Sequence, residues 1–398
     1  MINANSCHKA YQQINKVLKP TPLILSDRLS ESAGHEVYLK LENKFYTGSF
    51  KERGSLNFIL SLTEKEKSKG ICAASAGNHA LALSYHAKQL GICCHIVMPK
   101  TAPLIKFRAC QKNSALIYSQ GETFDDAQTF AKELCRKEKL TFVPAFDHKW
   151  VIEGQASCAW ELLEQLADFD SVVVPIGGGG LISGIASVLK EKTPEVYILG
   201  VQSEWAVRAQ QNRVGGIPGL IPISIADGIA VKKIGKITSS IIKRKVDKTI
   251  TVSESQIAKN MVEFLEQEKS LIEGAAACVL SGLKSSILPK KCKKTVLVIS
   301  GSNIDMNLVV RLIERDMAEN QKVVRMLFSL PDRPGALNAV TSILASSGVN
   351  ILQVHHNRAF SSTPGNVEVT FLLEVRDSQH KNKVISVVKA AGIDVKQI

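Results

Sequence analysis

No apolar run in these 398 residues approaches the roughly twenty needed to cross a bilayer as a helix, so no membrane-spanning role is expected. The opening Met1-Ile2-Asn3-Ala4-Asn5-Ser6 lacks a basic stretch followed by an apolar core, so no secretory signal is expected either. No C-x-x-C pair occurs among the nine cysteines. Cys72, Cys93, Cys94 and Cys278 lie in apolar surroundings, which favours reduced thiols over disulfides or metal ligands and points to the cytoplasm. Acidic residues are outnumbered, 37 against 50 basic, for a net charge of +13. The basic residues bunch at Lys232–Lys248 and Lys284–Lys294, with few aromatics between them and no nucleic-acid motif. Solvated surface and attraction for anionic substrates account for them, and no nucleic-acid partner is expected. No internal repeat or low-complexity tract occurs.

What is present is alternation. Short β-rich runs (Ile71–Ser75, Cys93–Met98, Ala115–Tyr118, Ser171–Ile176, Val196–Val201) alternate with longer helical patterns (Asn78–Leu90, Leu104–Cys110, Thr123–Lys139, Glu153–Ala167, Leu181–Lys190). That order predicts parallel sheets covered by helices, with ligands at the carboxyl ends of strands. Residues 204–250 are rich in Gly, Pro and Lys and read as loops with short elements. Past a polar break at 319–322 the style changes. Strands and helices from Val323 to Gln397 follow the order β-α-β-β-α-β, a ferredoxin-like unit. The expected domains are 1–318, a linker at 319–322, and 323–398.

Four stretches carry chemistry. Ser49-Phe50-Lys51-Glu52-Arg53-Gly54 sets a lysine after an aromatic residue and near another cation. In an apolar wall its amine loses proton affinity and can condense with a carbonyl or take a carbon-bound proton. Gly177, Gly178, Gly179 and Gly180, then Leu181, follow a strand and precede a helix, an arrangement that presents amide N–H groups to a phosphate. Gly178, Gly180 and Gly184 also fit a loose dinucleotide pattern, whereas the Walker sequence is absent. Ser75, Ala76, Gly77, Asn78 and His79 form a strand-to-helix turn suited to a substrate carboxylate or to a simple cap, with Asn78 able to bond a ring hydroxyl. Ser300 ends a strand, where its neutral hydroxyl could meet a pyridine nitrogen.

Together these stretches resemble the pyridoxal-phosphate enzymes of the tryptophan-synthase-β fold, in particular threonine dehydratases and the related serine dehydratases and racemases. Val97-Met98-Pro99, Gly121-Glu122-Thr123-Phe124-Asp125, Ala226-Asp227-Gly228-Ile229-Ala230-Val231 and Glu273-Gly274-Ala275 add to the resemblance, which covers roughly residues 15–315. The C-terminal unit resembles an ACT domain, with Asp332, Arg333, Pro334, Gly335, Ala336 and Leu337 as its signature turn. The resemblance implies an α/β fold of two open parallel-sheet subdomains followed by the ACT unit, with pyridoxal 5′-phosphate as cofactor. It implies that Lys51 bonds the cofactor aldehyde and takes the substrate's Cα proton, while Phe50 lies against the ring. Asn78 meets the ring 3-hydroxyl, Gly177 to Leu181 bind the phosphate, Ser300 meets the ring nitrogen, and Ser75 to His79 hold the substrate carboxylate. The implied reaction converts L-threonine, and also L-serine, to a 2-oxo acid and ammonia. Isoleucine or valine is the implied effector at the ACT turn, in a homodimer or homotetramer.

Departures from the family pattern narrow these expectations. Ala76 stands where serine racemases carry a second serine, and Gln202 and Arg208 stand at positions that bind a divalent cation in relatives, so no metal is expected. Leu81, Ser302 and Glu153-Gly154-Gln155-Ala156 also differ from the usual residues. Two alternatives stay open. One is a related lyase or racemase for serine or 3-hydroxyaspartate; the other is an ACT-based amino-acid sensor on a degenerate catalytic body.

Overall fold

A computed structural model of the chain describes residues 2–102, 104–211, 224–358 and 364–398. The chain divides into two compact units, Met1–Ile304 and Asp305–Ile398. The division falls ahead of the helix Met306–Glu319, earlier than the polar break at 319–322.

The first unit is built on two sheets. The smaller runs in the order Leu116–Ser119, Cys94–Met98, Ile71–Ala74, Thr141–Phe142, all parallel. Ile71–Ala74 and Cys94–Met98 are apolar throughout except His95 and are buried at every residue, as strands covered on both faces must be. The larger sheet runs Leu23–Leu25, Glu36–Leu41, Lys294–Ile299, Ser171–Pro175, Tyr197–Ser203, Lys248–Val252. Its first pair is antiparallel and the others are parallel. The late strand Lys294–Ile299 enters between two early ones, which sets Ser300 beside the turn leading to Lys51 and one strand from the glycine turn.

Three helices meet backbone to backbone behind that point, and glycine makes the approach possible. A Cβ on Gly154 would lie 2.6 Å from Arg53 O and 2.7 Å from the Gly54 Cα. A Cβ on Gly184 would lie 2.6 Å from Ala156 N, and one on Gly54 would strike the Gln155 amide. The helices Lys51–Leu60, Lys149–Gln155 and Gly180–Lys192 are therefore locked into one block.

Several elements differ from the sequence expectation. The lysine helix, Lys51–Leu60, starts at Lys51 itself. The expected helix Glu153–Ala167 is two helices, Lys149–Gln155 and Ser157–Gln165, meeting at Ala156. Residues 204–250 contain a helix, Lys236–Lys245, and a strand, Lys248–Val252; residues 212–223 of that stretch lie outside the described part. The short helix Glu64–Lys69, absent from the expectation, starts at a capping box of Thr63 and Glu66.

The second unit joins Met306–Glu319 to a four-stranded antiparallel sheet in the order Asn350–Asn357, Asn366–Glu374, Val323–Pro331, Asp394–Gln397. Two helices, Ala336–Ser346 and Ser378–Ala390, contribute to its core. Alternation along the first strand, with Val324, Met326, Phe328 and Leu330 buried, marks the covered face. This is the ferredoxin-like order expected.

Candidate active site

The turn that delivers Lys51 is tied to the loop leaving the central strand. Phe50 N–H donates to Ser300 O at 3.0 Å, Ser302 N–H donates to Gly48 O at 2.9 Å, and Ser49 bridges Gly301. Gly48 sits at φ +74° with Asn303 Oδ1 2.7 Å from where a Cβ would be, so only glycine fits. Lys51 Nζ donates to Ala145 O at 2.9 Å and lies 5.1 Å from the centre of the Phe50 ring. Burial draws its pKa down to about 8, and the Glu273 carboxyl acts in the opposite direction.

The neighbouring cation is not what lowers it. Arg53 turns away into a fully buried cluster, where its Nε and Nη2 donate to Glu42 at 2.6 and 2.7 Å. Its Nη1 and Nη2 donate to Glu161 at 2.6 and 2.7 Å, and Nη1 reaches Ser157 at 2.9 Å. Lys40 completes the cluster on Glu161 at 2.5 Å, on Thr21 O at 2.8 Å and on Gln165 at 2.8 Å. Two cations face two carboxylates, and Arg53 is structural.

Asn78 begins the helix that follows the turn after Ile71–Ala74. Its Nδ2 donates to both carboxyl oxygens of Glu273, at 3.0 and 2.9 Å, and its Oδ1 accepts from Asn303 Nδ2 at 2.8 Å. Ser75 is nearly buried, and its Oγ accepts from Gly77 N–H at 3.2 Å. His79 turns its ring into the core, with Nε2 3.1 Å from Val143 O; burial pushes its pKa down to about 3, so it stays neutral. Of His79, only the backbone remains toward the turn.

The glycine turn comes next to the lysine through two consecutive residues. Ala145 O receives the Lys51 amine, the Phe146 ring fills the space that a side chain on Gly178 would need, and the Phe146 backbone and Cβ lie 3.2–3.4 Å from a Cβ built on Gly180. Gly179 takes φ +90°, and Thr238 Oγ1 donates to Gly178 O at 2.7 Å. Asp147 caps the helix that carries Thr238, accepting from the N–H groups of Lys236, Ile237 and Thr238 at 2.8, 3.0 and 3.2 Å. The Leu181 side chain belongs to the core, leaving its backbone at the helix start. Gly184 is a packing glycine against Ala156, which removes it from the dinucleotide pattern. Ser300 Oγ is buried without a protein partner, as are Ser49 Oγ and Thr47 Oγ1.

The profile of the pyridoxal-phosphate dependent enzymes matches residues 14–301. The chain belongs to that family. A second profile, the ACT domain, matches residues 324–392. The chain is 39% identical over 404 residues to an L-threonine ammonia-lyase of Thermotoga maritima, covering 100% of this chain and 99% of that one. It is similar to a solved threonine deaminase, isoform 2, of Solanum lycopersicum (30% identity, TM-score 0.69, 78% of this chain and 92% of that one). It is also similar to the serine racemase of Dictyostelium discoideum (32% identity, TM-score 0.70, 76% and 99%).

The residues present fit pyridoxal 5′-phosphate. An amine of depressed pKa suits an aldehyde, a glycine turn at a helix start suits a phosphate, and the orphaned Ser300 hydroxyl suits a ring nitrogen. Among the described residues no group of His, Cys, Asp and Glu side chains could hold a metal ion, and no helix is long and apolar enough to cross a membrane.

In the ACT unit the turn from Asp332 to Leu337 connects the first strand to the first helix. Gly335 takes φ +90° to cap the helix Ala336–Ser346, and Asp332 pairs with Arg358 at 3.3 Å. Pro334 is exposed, Ala336 is half-buried, and Leu337 is 40% exposed.

Sequence reasoning missed Ala145, Phe146 and Asp147, because nothing local marks a carbonyl, a ring or a carboxylate as parts of a distant turn. It noted Glu273 only as a member of a motif.

Proposed function

We propose that the chain is a threonine ammonia-lyase, converting L-threonine to 2-oxobutyrate and ammonia, and L-serine to pyruvate. The observation that carries this reading is the convergence of the Lys51 amine, the glycine turn, Asn78 and the orphaned Ser300 hydroxyl at the carboxyl ends of strands from both sheets.

When bound, pyridoxal 5′-phosphate supplies an aldehyde that bonds amines covalently and a conjugated ring that accepts electrons when a Cα–H bond breaks. The amides of Gly177, Gly178, Gly179, Gly180 and Leu181 would hold its phosphate, Phe50 would lie against the ring, and Asn78 would donate to the ring oxygen. Ser75, Ala76, Gly77, Asn78 and His79 would hold the substrate carboxylate through backbone N–H groups and the Ser75 hydroxyl. Lys51, with a pKa of about 8, is far more readily neutral than a free lysine and can take the Cα proton. Ser300 can bond the ring nitrogen without giving it a full proton, which keeps the ring a modest electron acceptor and favours prompt loss of the β-hydroxyl. Ala76 has no hydroxyl to act on the opposite face of Cα, which favours elimination over racemisation.

Isoleucine or valine would act as effector at the ACT turn near Gly335, in a homodimer or homotetramer. Nine free cysteines fit a reducing compartment such as the cytoplasm.

Release of 2-oxo acid from threonine and serine, measured with and without isoleucine or valine, tests the reading. Lys51→Ala is expected to lower turnover by about 10³-fold or more and to abolish the visible absorbance of the cofactor-loaded protein. Wild-type protein with cofactor that releases no 2-oxo acid from either substrate overturns the reading; binding heat without any turnover would favour a sensor.

A further inference from the structure

Asn78 is gripped from two sides, and the grip has a direction. Its Oδ1 faces an N–H donor of Asn303 at 2.8 Å, and its Nδ2 faces the two oxygens of Glu273 at 3.0 and 2.9 Å. Asn303 is itself committed, because its Nδ2 also donates to Thr47 O at 2.7 Å. Turning the Asn78 amide over would set carbonyl against carboxylate and N–H against N–H. A ring oxygen approaching Asn78 therefore meets a donor.

Glu273 is equally fixed. Its side chain is buried, and its backbone N–H donates to Gly301 O at 3.1 Å. A Cβ on Gly301 would come within 2.5 Å of Glu273 Oε1, and one on Gly228 within 3.3 Å. The charged groups that act on it are Asp227 and Lys106, themselves paired at 2.6 Å, and it acts in turn on Lys51. Asn78 hydrogen-bonds its carboxyl, which favours the charged form against burial.

We propose that Glu273 is a positioning residue for this reaction: it keeps the Asn78 amide turned with its N–H toward the cofactor ring oxygen. This rests on the reading that Lys51 and Asn78 serve one cofactor. The burial that raises the Glu273 carboxyl to about 7 and lowers Lys51 to about 8 places both titrations in the working range.

The test is Glu273→Gln, which keeps the shape and removes the charge. Cofactor-free wild type and variant are mixed with pyridoxal 5′-phosphate across pH, and uptake is followed by visible absorbance. Without the carboxylate only burial acts on Lys51, so the pH midpoint of the uptake rate moves down by about half a unit or more. In the loaded enzyme kcat falls about tenfold while KM for threonine changes little, since the Asn78 side chain acts on the ring and the backbone N–H groups that would hold the substrate carboxylate stay in place. Glu273→Asp keeps the charge and so must keep the midpoint while still losing kcat; it also serves if the glutamine variant does not fold. A kcat unchanged in E273Q, beside a wild type that binds cofactor normally, overturns this proposal alone. A wild type that takes up no cofactor overturns the underlying reading and this proposal with it.

Discussion

Lys51 and Arg53 stand two residues apart on one helix, yet the protein treats their charges in opposite ways. The Arg53 guanidinium donates to Glu42, Glu161, Ser157 and Thr21, and its charge is balanced by carboxylates within 2.7 Å. Lys51 has one carbonyl acceptor and a pKa drawn down by burial. The turn leading to it carries the hydroxyls of Ser49 and Thr47, and Ser300, whose carbonyl accepts from Phe50 N–H, carries a third; all three are buried without protein partners. A satisfied polar cluster fixes a backbone; an unsatisfied one is poised for a ligand. The arginine side anchors the helix so that the lysine side can be left incomplete.

Breaking the satisfied side gives the largest effect expected on stability. Arg53→Ala leaves Glu42 and Glu161 buried with only Lys40 to oppose them, at a cost of about 3–5 kcal/mol in urea unfolding. Lys51→Ala is expected to cost far less stability while abolishing turnover. Equal destabilisation by the two substitutions would erase the contrast.

Glu273 sharpens the contrast from the other direction. Its folded pKa, about 7, lies above the ordinary carboxyl value, so the folded state favours the protonated form. The folded state then binds more protons than the unfolded chain between roughly pH 4 and 7, and stability falls as pH rises through that window. Glu273→Gln removes the group that must ionise. It is expected to raise stability at pH 8 by up to about 3 kcal/mol, with the gain shrinking toward pH 5, while turnover falls. A variant less stable than wild type at pH 8 would show that the carboxylate is a stabilising group, like Glu161, whose pKa is lowered by Arg53 and Lys40 against the effect of burial.

The alternation of buried strands and helices made the two-sheet architecture legible, since apolar runs such as Ile71–Ala74 have few other uses. Lys51 stood out for following an aromatic residue, the glycine turn for four glycines between a strand and a helix, and Ser300 for ending a strand; their service of one site is the reading proposed above. The start of the lysine helix was not, since Lys51-Glu52-Arg53-Gly54 carries no helical apolar spacing; its charged side chains are buried by long-range pairing with Glu42, Glu161 and His86. The role of Gly184 was misread for a related reason. Spacing reports that small residues recur, and not whether an anion or another helix comes close.

That distinction gives the smallest pair of effects. Gly154 is closed in, with Arg53 O at 2.6 Å and Gly54 Cα at 2.7 Å from a Cβ built on it, and both are backbone atoms that cannot swing aside. Gly154→Ala must push the lysine helix outward, at about 1–3 kcal/mol, and kcat should fall because Lys51 rides on that helix. Gly77, in the turn assigned to the substrate carboxylate, has no atom within 4 Å of the same position and a negative φ of −131°. A methyl there strains nothing in the protein, so Gly77→Ala should leave stability within about 0.5 kcal/mol. It does intrude on the amide N–H groups of the turn, and KM for threonine should rise about tenfold with kcat less affected. Urea unfolding and steady-state kinetics on the two variants separate a glycine needed by the fold from one needed by the ligand. If Gly77→Ala leaves KM unchanged, the carboxylate is not held at Ser75–His79.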